Sequence, residues 1–337
     1  MKRPVRHVVL FTYGEPPRAS FGAQLKYSWR ILLGLTRAVA PIPAFVLPII
    51  ALQRARFRVK LWSDERYESP LEPITEAQAK QVGLALARVA PGSDWRVHVA
   101  YEFRDPLLPT MLASLPAGEP VDVLPMYVAD SAFTHEISRR TIASWRERRN
   151  GRPTAPARVL PPLDEECFAD LSAGYVLREC AARGIGGRDW ALVLAAHGTL
   201  LEPPKPIETG RGPTECIAAG IGERCAGRFG MVQLGWLNHV YGGRWTEPPA
   251  DVALKKVAEA GFKKVVYYPF GFSADNAESQ LEGRIALRTQ PGLEAVHLPC
   301  LNDTPEYAEA LAGSIIVAEQ LSAQGSADRT AALTSTA

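Results

Sequence analysis

Residues 190–198 read WALVLAAHG. Seven consecutive apolar residues with no polar alternation describe a strand covered on both faces, as in a parallel sheet flanked by helices. His197 and Gly198 follow at the C-terminal end of that strand, the edge where open parallel sheets bind ligands. Gly198 allows a sharp turn, so the imidazole is expected to face a crevice rather than merely cap the strand. Histidine is the side chain that can both ligate a soft divalent metal and take up a proton near neutral pH.

The same pattern stands at His7–Phe11 (HVVLF), followed by Thr12-Tyr13-Gly14-Glu15-Pro16-Pro17. Two later stretches also echo each other, VDVLPMYVADSAFTHE at 121–136 and KVVYYPFGFSADNAESQ at 264–280. Each is an apolar strand, a proline and a polar loop with Asp130 or Asp275 that opens a helix. The chain therefore reads as α/β, with two related halves that each form an open parallel sheet. Residues 1–150 and 151–320 are expected as the two domains. The Arg-, Pro- and Gly-rich stretch Arg146–Asp164 marks their junction. Residues 321–337 are small and polar and read as a disordered tail.

The halves differ in length. Tyr13 to Pro125 is 112 positions (125 − 13) and His197 to Pro269 is 72 (269 − 197). The first half thus carries about 40 extra residues by the repeat reading, placed at about 18–67. Within them Ile31–Leu52 (ILLGLTRAVAPIPAFVLPIIAL) is the most apolar segment of the chain. Its length would suit a membrane span of about 20 residues, but Arg37 lies inside it and Pro41, Pro43 and Pro48 interrupt helical hydrogen bonding. A buried helical pair is the plainer expectation. A helical lip beside a hydrophobic ligand or a membrane surface is the sharper one, and it is favoured.

The net charge of +2, from 38 basic and 36 acidic side chains, gives no general drive toward nucleic acid or anionic lipid. The five cysteines lie at 167, 180, 216, 225 and 300 without a C-x-x-C pair, as in a reducing compartment. The short N-terminal apolar run reads as a strand rather than a signal peptide, so a cytoplasmic location is expected. A glycine-rich phosphate loop after the first strand, a Walker sequence and a G-x-S-x-G elbow are all missing, which argues against nucleotide-binding and serine-hydrolase functions.

A second chemical cluster is FSADNAESQLEGR at 272–284. Asp275 has the look of a helix N-cap, with Glu278 at capping-box spacing. Glu282 lies one further turn along the same face. Asp275, Glu278 and Glu282 then form an acidic row with only Arg284 near to offset it. Such a row pointing into a cleft would attract and pass along a divalent cation.

These segments together resemble the ferrochelatases. LVLAAHG is similar to the family's S-A-H-G strand end. PFGFSADNAESQLE is similar to P-x-G-F-x-x-D-x-x-E-T-L-x-E. RWTEPP at 244–249 resembles W-L-x-P-x-T, and LNDTPEYAEAL at 301–311 resembles L-N-D-x-P-x-x-x-x-A-L. FTYGEP resembles the M-A-Y-G-T-P of coproporphyrin-type bacterial members, with Tyr13 at the tyrosine, and ESPL at 68–71 matches G-S-P-L. The resemblance spans roughly residues 7–318. The pattern departs at Thr199-Leu200 after His-Gly, at Val128 and Asp130, at the GRGPTE of 210–215, and at Asn276 where many members have histidine.

The resemblance implies two Rossmann-like domains with parallel sheets facing a central cleft, the class II chelatase arrangement. It implies ATP-independent insertion of ferrous iron into protoporphyrin IX or coproporphyrin III, in heme biosynthesis. Iron is then a substrate, no organic cofactor is needed, and no iron–sulfur cluster is expected because no cysteine cluster follows Cys300. His197 and Glu278 are the implied catalytic and metal-binding pair, set across the porphyrin ring and not necessarily bonded. Asp275 and Glu282 form the supply path. Tyr13, Arg30 and Trp236 stand as porphyrin contacts, with Lys26 and Arg37 further candidates by location. The partners are porphyrin and ferrous iron, with peripheral membrane contact through the lip and no nucleic acid, in a monomer or homodimer. Two competing readings are a non-catalytic tetrapyrrole-binding protein of the same fold and a chelatase for another metal or tetrapyrrole, such as a sirohydrochlorin cobaltochelatase.

Overall fold

Strands β1 (Val5–Thr12), β2 (Asp94–Tyr101), β3 (Val121–Pro125) and β4 (Ala157–Val159) pair in parallel in the order β2-β1-β3-β4. Strands β5 (Gly187–His197), β6 (Phe229–Leu237), β7 (Lys264–Tyr268) and β8 (Glu294–His297) repeat that order as β6-β5-β7-β8, again all parallel. The repeat expected from the sequence is thus a repeat of topology. The structure, a computed structural model, describes residues 3–38, 43–148, 156–203, 205–238 and 243–334. Residues 149–155, around the expected domain boundary, lie outside the described residues; β4 beyond them still pairs in the first sheet, so the first half runs through β4 and α6 (Glu165–Ala182).

Alternate residues of the central strands enter different cores, as a strand covered on both faces requires. Val9, Phe11, Val121 and Val123 pack with α4 (Leu108–Ser114) and α5 (His135–Arg148). Ala191, Val193 and Ala195 pack with α8 (Ala250–Glu259). The intervening residues, Val8 and Leu10 of β1 and Leu192, Leu194 and Ala196 of β5, belong to one core common to both sheets. That core is closed by α3 (Leu71–Val89), α6 (Glu165–Ala182), α7 (Arg211–Arg224) and α10 (Pro305–Thr334). Here α10 packs on α3 of the first half, and α6 packs on α7 of the second. Each half therefore lends its last helix to the other, and the strand ends of both sheets are held at one fixed separation. Burying each Leu or Val of this shared core is worth about 1.5–3 kcal/mol, so Leu194→Ala would cost about 2–5 kcal/mol.

The extra segment of the first half is a helical pair, α1 (Phe21–Ala38) and α2 (Leu47–Asp64), packed on each other around Leu32, Leu47 and Ala51. Near the end of its second helix stands Trp62, which with Tyr67 packs against Ala277 and Leu281 of the second half. Phe45, Ile49 and Phe57 remain exposed. Among the described residues no helix is long and apolar enough to cross a membrane. At the other end of the chain α10 runs on to Thr334, through the stretch read from its composition as a tail.

Candidate functional site

His197 ends β5, and its Nδ1 lies 2.7 Å from Oε2 of Glu278. Three local features bring them together. Gly198 donates its N–H to Leu237 O, and a Cβ there would run into Asn238 Oδ1 and lie 2.8 Å from Leu237 O. Gly271 donates to Ala195 O, and a Cβ there would come 2.5 Å from Ala196 Cα. Only glycine lets these loops press so closely on the end of β5. Glu278 itself rides on a π-helix, Ala277–Glu282, a form often found at functional sites.

The start of the π-helix is capped by Asn276, not by Asp275. The Asn276 side chain accepts from the N–H groups of Glu278 (2.9 Å) and Ser279 (3.0 Å), and Ser279 Oγ accepts from Asn276 N–H (2.9 Å). Asparagine at the departure from the family pattern therefore completes a capping box. Asp275 is engaged elsewhere. Its carboxylate accepts from Gln280 Nε2 (2.7 Å), Cys300 N–H (2.8 Å) and Asn302 Nδ2 (3.0 Å), while its own N–H donates to Asn302 Oδ1 (2.8 Å). The acidic row thus breaks. Glu278 bonds His197 and Glu282 lies near enough to act on its charge, whereas Asp275 ties the π-helix to the loop before α10.

The opposing wall comes from the first half. Tyr13 leaves the end of β1 and lies near enough to Glu278 for their charges to interact. Two residues on, the buried carboxylate of Glu15 accepts from Ser69 Oγ (2.5 Å) and from the N–H of Ala277 (3.0 Å). Arg58 of α2 places Nη2 3.7 Å from Glu15 Oε2, donates Nε–H to Gln24 Oε1 (2.8 Å), and lies 5.0 Å from the ring centres of both Tyr27 and Trp62. Arg54, one turn earlier, is also largely buried, and its Nε has no hydrogen-bond partner among the described residues. It interacts electrostatically with Glu278 and Glu282.

Charge and burial compete at this site. Burial would lower the pKa of His197, but the carboxylates of Glu278 and Glu282 outweigh it and hold the imidazole above its ordinary value. Its ring keeps 48% of its surface accessible while the cleft walls surround it, so it is reachable from solvent yet sits in a protein environment. Burial and the neighbouring Glu278 push Glu282 up to about 7, against the opposing pull of Arg58 and His197. Burial pushes Glu15 up to about 7 as well, although Arg58, Ser69 and Ala277 act to lower it. The arrangement offers a proton acceptor already coupled to a carboxylate, with a second acid that is poised to change protonation near neutral pH. Among the described residues no three His, Cys, Asp or Glu side chains come together to hold a metal ion.

Other expected site residues fall differently. The 2.7 Å contact leaves no room for a ring between His197 and Glu278, so the two stand on one side of the cleft, not across it. Trp236 is 1% exposed within the shared core and lines no cleft. Arg30 already donates to Phe103 O (3.0 Å) and Asp105 (3.1 Å), and Lys26 joins the same carboxylate at 2.8 Å. The side chain of Arg37 lies outside the described residues. Among the departures, Val128 fills the shared core, Asp130 pairs with Arg139, Thr199 N–H donates to Thr246 Oγ1 (3.2 Å), and Leu200 bridges to Trp245. Sequence reasoning missed Glu15, Arg54 and Arg58. The one available signal was the four-residue spacing of Arg54 and Arg58, which puts them on one helical face just after the apolar Ile31–Leu52 segment.

The chain can now be compared with known proteins. The profile of the Ferrochelatase family matches residues 6–319. A ferrochelatase of Nitrobacter hamburgensis is 28% identical over 268 residues, covering 75% of this chain and 73% of that protein. A ferrochelatase of Xylella fastidiosa is 26% identical over 328 residues, covering 91% of this chain and 95% of that protein. Among solved structures, CbiX, described as the terminal enzyme of siroheme biosynthesis in denitrifying bacteria, superposes with a TM-score of 0.54 at 17% identity, over 93% of this chain and 99% of that one. This last likeness shows the two-sheet α/β chelatase fold.

Proposed function

This chain belongs to the ferrochelatase family, and from that premise we propose that it inserts ferrous iron into a porphyrin without ATP or an organic cofactor. One observation carries the reading: His197 and Glu278 are joined at 2.7 Å on the ligand-binding edge of the second sheet. Insertion removes two pyrrole protons and adds one metal. His197 accepts one pyrrole proton, the adjoining carboxylate stabilises the imidazolium that forms, and the second proton passes to Glu282 or to solvent. Before that proton arrives, the neutral His197 and Glu278 share the entering cation, and Glu282 is the next acid along the approach. Because the pair touches, both act on one face of the ring, and Tyr13 meets the other.

Arg54 is better placed than Arg30 to receive a porphyrin carboxylate. Its charge is buried beside the cleft, whereas Arg30 is committed to Asp105. The exposed Phe45, Ile49 and Phe57, with Arg56 and Lys60 nearby on α2, support contact of the lip with a membrane surface.

The test is anaerobic incubation with ferrous iron and either protoporphyrin IX or coproporphyrin III, followed by the absorbance of the product. Multiple turnover with one of them is expected. Porphyrin binding without turnover would favour a carrier. Turnover only with cobalt and sirohydrochlorin would favour the reaction class of the siroheme enzyme whose fold it shares.

A further inference from the structure

Glu15 stands at the threonine of the M-A-Y-G-T-P pattern that FTYGEP resembles, so a carboxylate replaces the pattern's neutral hydroxyl. It is 2% exposed. A buried carboxylate needs compensation, and the compensation here is specific. Ser69 and the Ala277 N–H hold one oxygen, and Arg58 faces the other. Arg58 is in turn fixed by Gln24 and by the faces of Tyr27 and Trp62.

The ion pair is incomplete in an informative way. At 3.7 Å from Glu15, Arg58 Nη2 makes no hydrogen bond among the described residues. The same guanidinium also interacts electrostatically with Glu282. Arg58 thus faces Glu15 directly, and through Trp62, which packs on Ala277 and Leu281, it lies beside the helix that carries Glu282 and feels that carboxylate's charge. A guanidinium that turned fully to Glu282 would place a fixed positive charge where a divalent cation is to approach. It would both neutralise a carboxylate and repel the incoming metal.

We propose that Glu15 is a positioning residue that holds Arg58 away from the Glu278–Glu282 row and so keeps that row available to a divalent cation. The proposal rests on the reading of His197, Glu278 and Glu282 as the metal approach. It adds a residue pair whose role is to keep a built-in cation from competing with the substrate cation. It also gives a reason for the pair to appear together: Glu15 alone would leave a buried charge uncompensated, and Arg58 alone would occupy the acidic row.

The experiment measures Co²⁺ binding by calorimetry on the full chain, for the parent, Glu15→Gln and the double variant Glu15→Gln/Arg58→Gln. Glutamine preserves the size of the side chain and a carbonyl oxygen for Ala277 N–H. Glu15→Gln should weaken Co²⁺ binding roughly tenfold, the order of one unscreened charge acting across a part-buried site. The double variant should return to within about threefold of the parent, because the two side chains act as a unit. In the insertion assay the same single variant should raise the KM for ferrous iron with little change in kcat, and the double variant should restore it. Parental affinity in Glu15→Gln, a loss that the double variant does not recover, or no Co²⁺ binding by the parent would each overturn the proposal. If Co²⁺ binding behaves as expected but no variant, the parent included, inserts metal, the positioning role stands and the ferrochelatase reading falls.

Discussion

The ends of β1 and β5 are equivalent points of the repeated topology, yet they carry different equipment. β1 leads into Tyr13-Gly14-Glu15 and then the α1–α2 pair, whereas β5 ends at His197 and leads through Gly198-Thr199 to α7, with no such helical pair. One half supplies Tyr13 and a buried Glu15–Arg58 pair, and the other supplies the exposed imidazole and the π-helix acids. The lesson is that a duplicated scaffold can divide labour between its halves. The shared core and exchanged helices fix the distance, so that each half need contribute only one face of the site.

The sharpest test of this equivalence compares the glycines after the two strands. Gly14 has φ +66°, and a Cβ there would lie 2.8 Å from the Tyr101 ring, which is a side chain. At Gly198 the obstruction includes a backbone carbonyl. Gly198→Ala should therefore be the more damaging, costing about 3 kcal/mol or more through overpacking, with Gly14→Ala at about 1–3 kcal/mol. Chemical denaturation gives both values. The reverse order would show that the β5 end is the more yielding.

The second comparison separates Asp275 from the other acids. Asp275→Asn should lower stability by about 1.5–3 kcal/mol, because a charged acceptor of three bonds is lost. A lowered melting temperature is the expected reading. A raised KM for iron at an unchanged melting temperature would return Asp275 to the supply path.

A smaller effect is expected from the first half's cations. Arg54→Ala should raise the porphyrin KM about tenfold, equivalent to about 1.4 kcal/mol, and Arg30→Ala should change it by less. Equal effects would remove the distinction drawn between them.

The smallest effect concerns pH. The folded-state pKa of Glu15 is raised to about 7, so between the unfolded carboxylate value of about 4.3 and 7 the folded chain binds the extra proton. Stability from this group is full at low pH and declines as pH rises through that window, by at most about 1.4 kcal/mol per unit. Glu15→Gln removes the titration, so its stability should decline less steeply with pH than the parent's. Parallel profiles would show that Glu15 does not carry a raised pKa.

Much of the fold was legible because buried parallel strands leave long apolar runs, and the runs at His7–Phe11 and Trp190–Ala196 proved to be the two central strands. The closeness of His197 to Glu278 was legible for a similar reason, because glycines at 198 and 271 let the loops press on the end of β5. Asp275 misled because the row of acids was spaced for an α-helix, while the segment is a π-helix that begins after Asn276. Trp236 misled because strand position does not reveal which face is buried. Glu15 and Arg58 were not legible because their partners lie far away in sequence. Ala277 N–H is 262 positions from Glu15, a contact made only by tertiary packing.

The central claim is that the bonded pair His197–Glu278 performs the proton transfer. It is tested most directly by measuring metal insertion and porphyrin binding on the same samples of the parent, His197→Ala and Glu278→Gln. Insertion should fall by about 10²–10⁴-fold, the usual contribution of a positioned acid–base group, while porphyrin fluorescence quenching stays close to parental because the opposing wall from the first half is intact. Parental insertion rates in both folded variants would contradict the assignment.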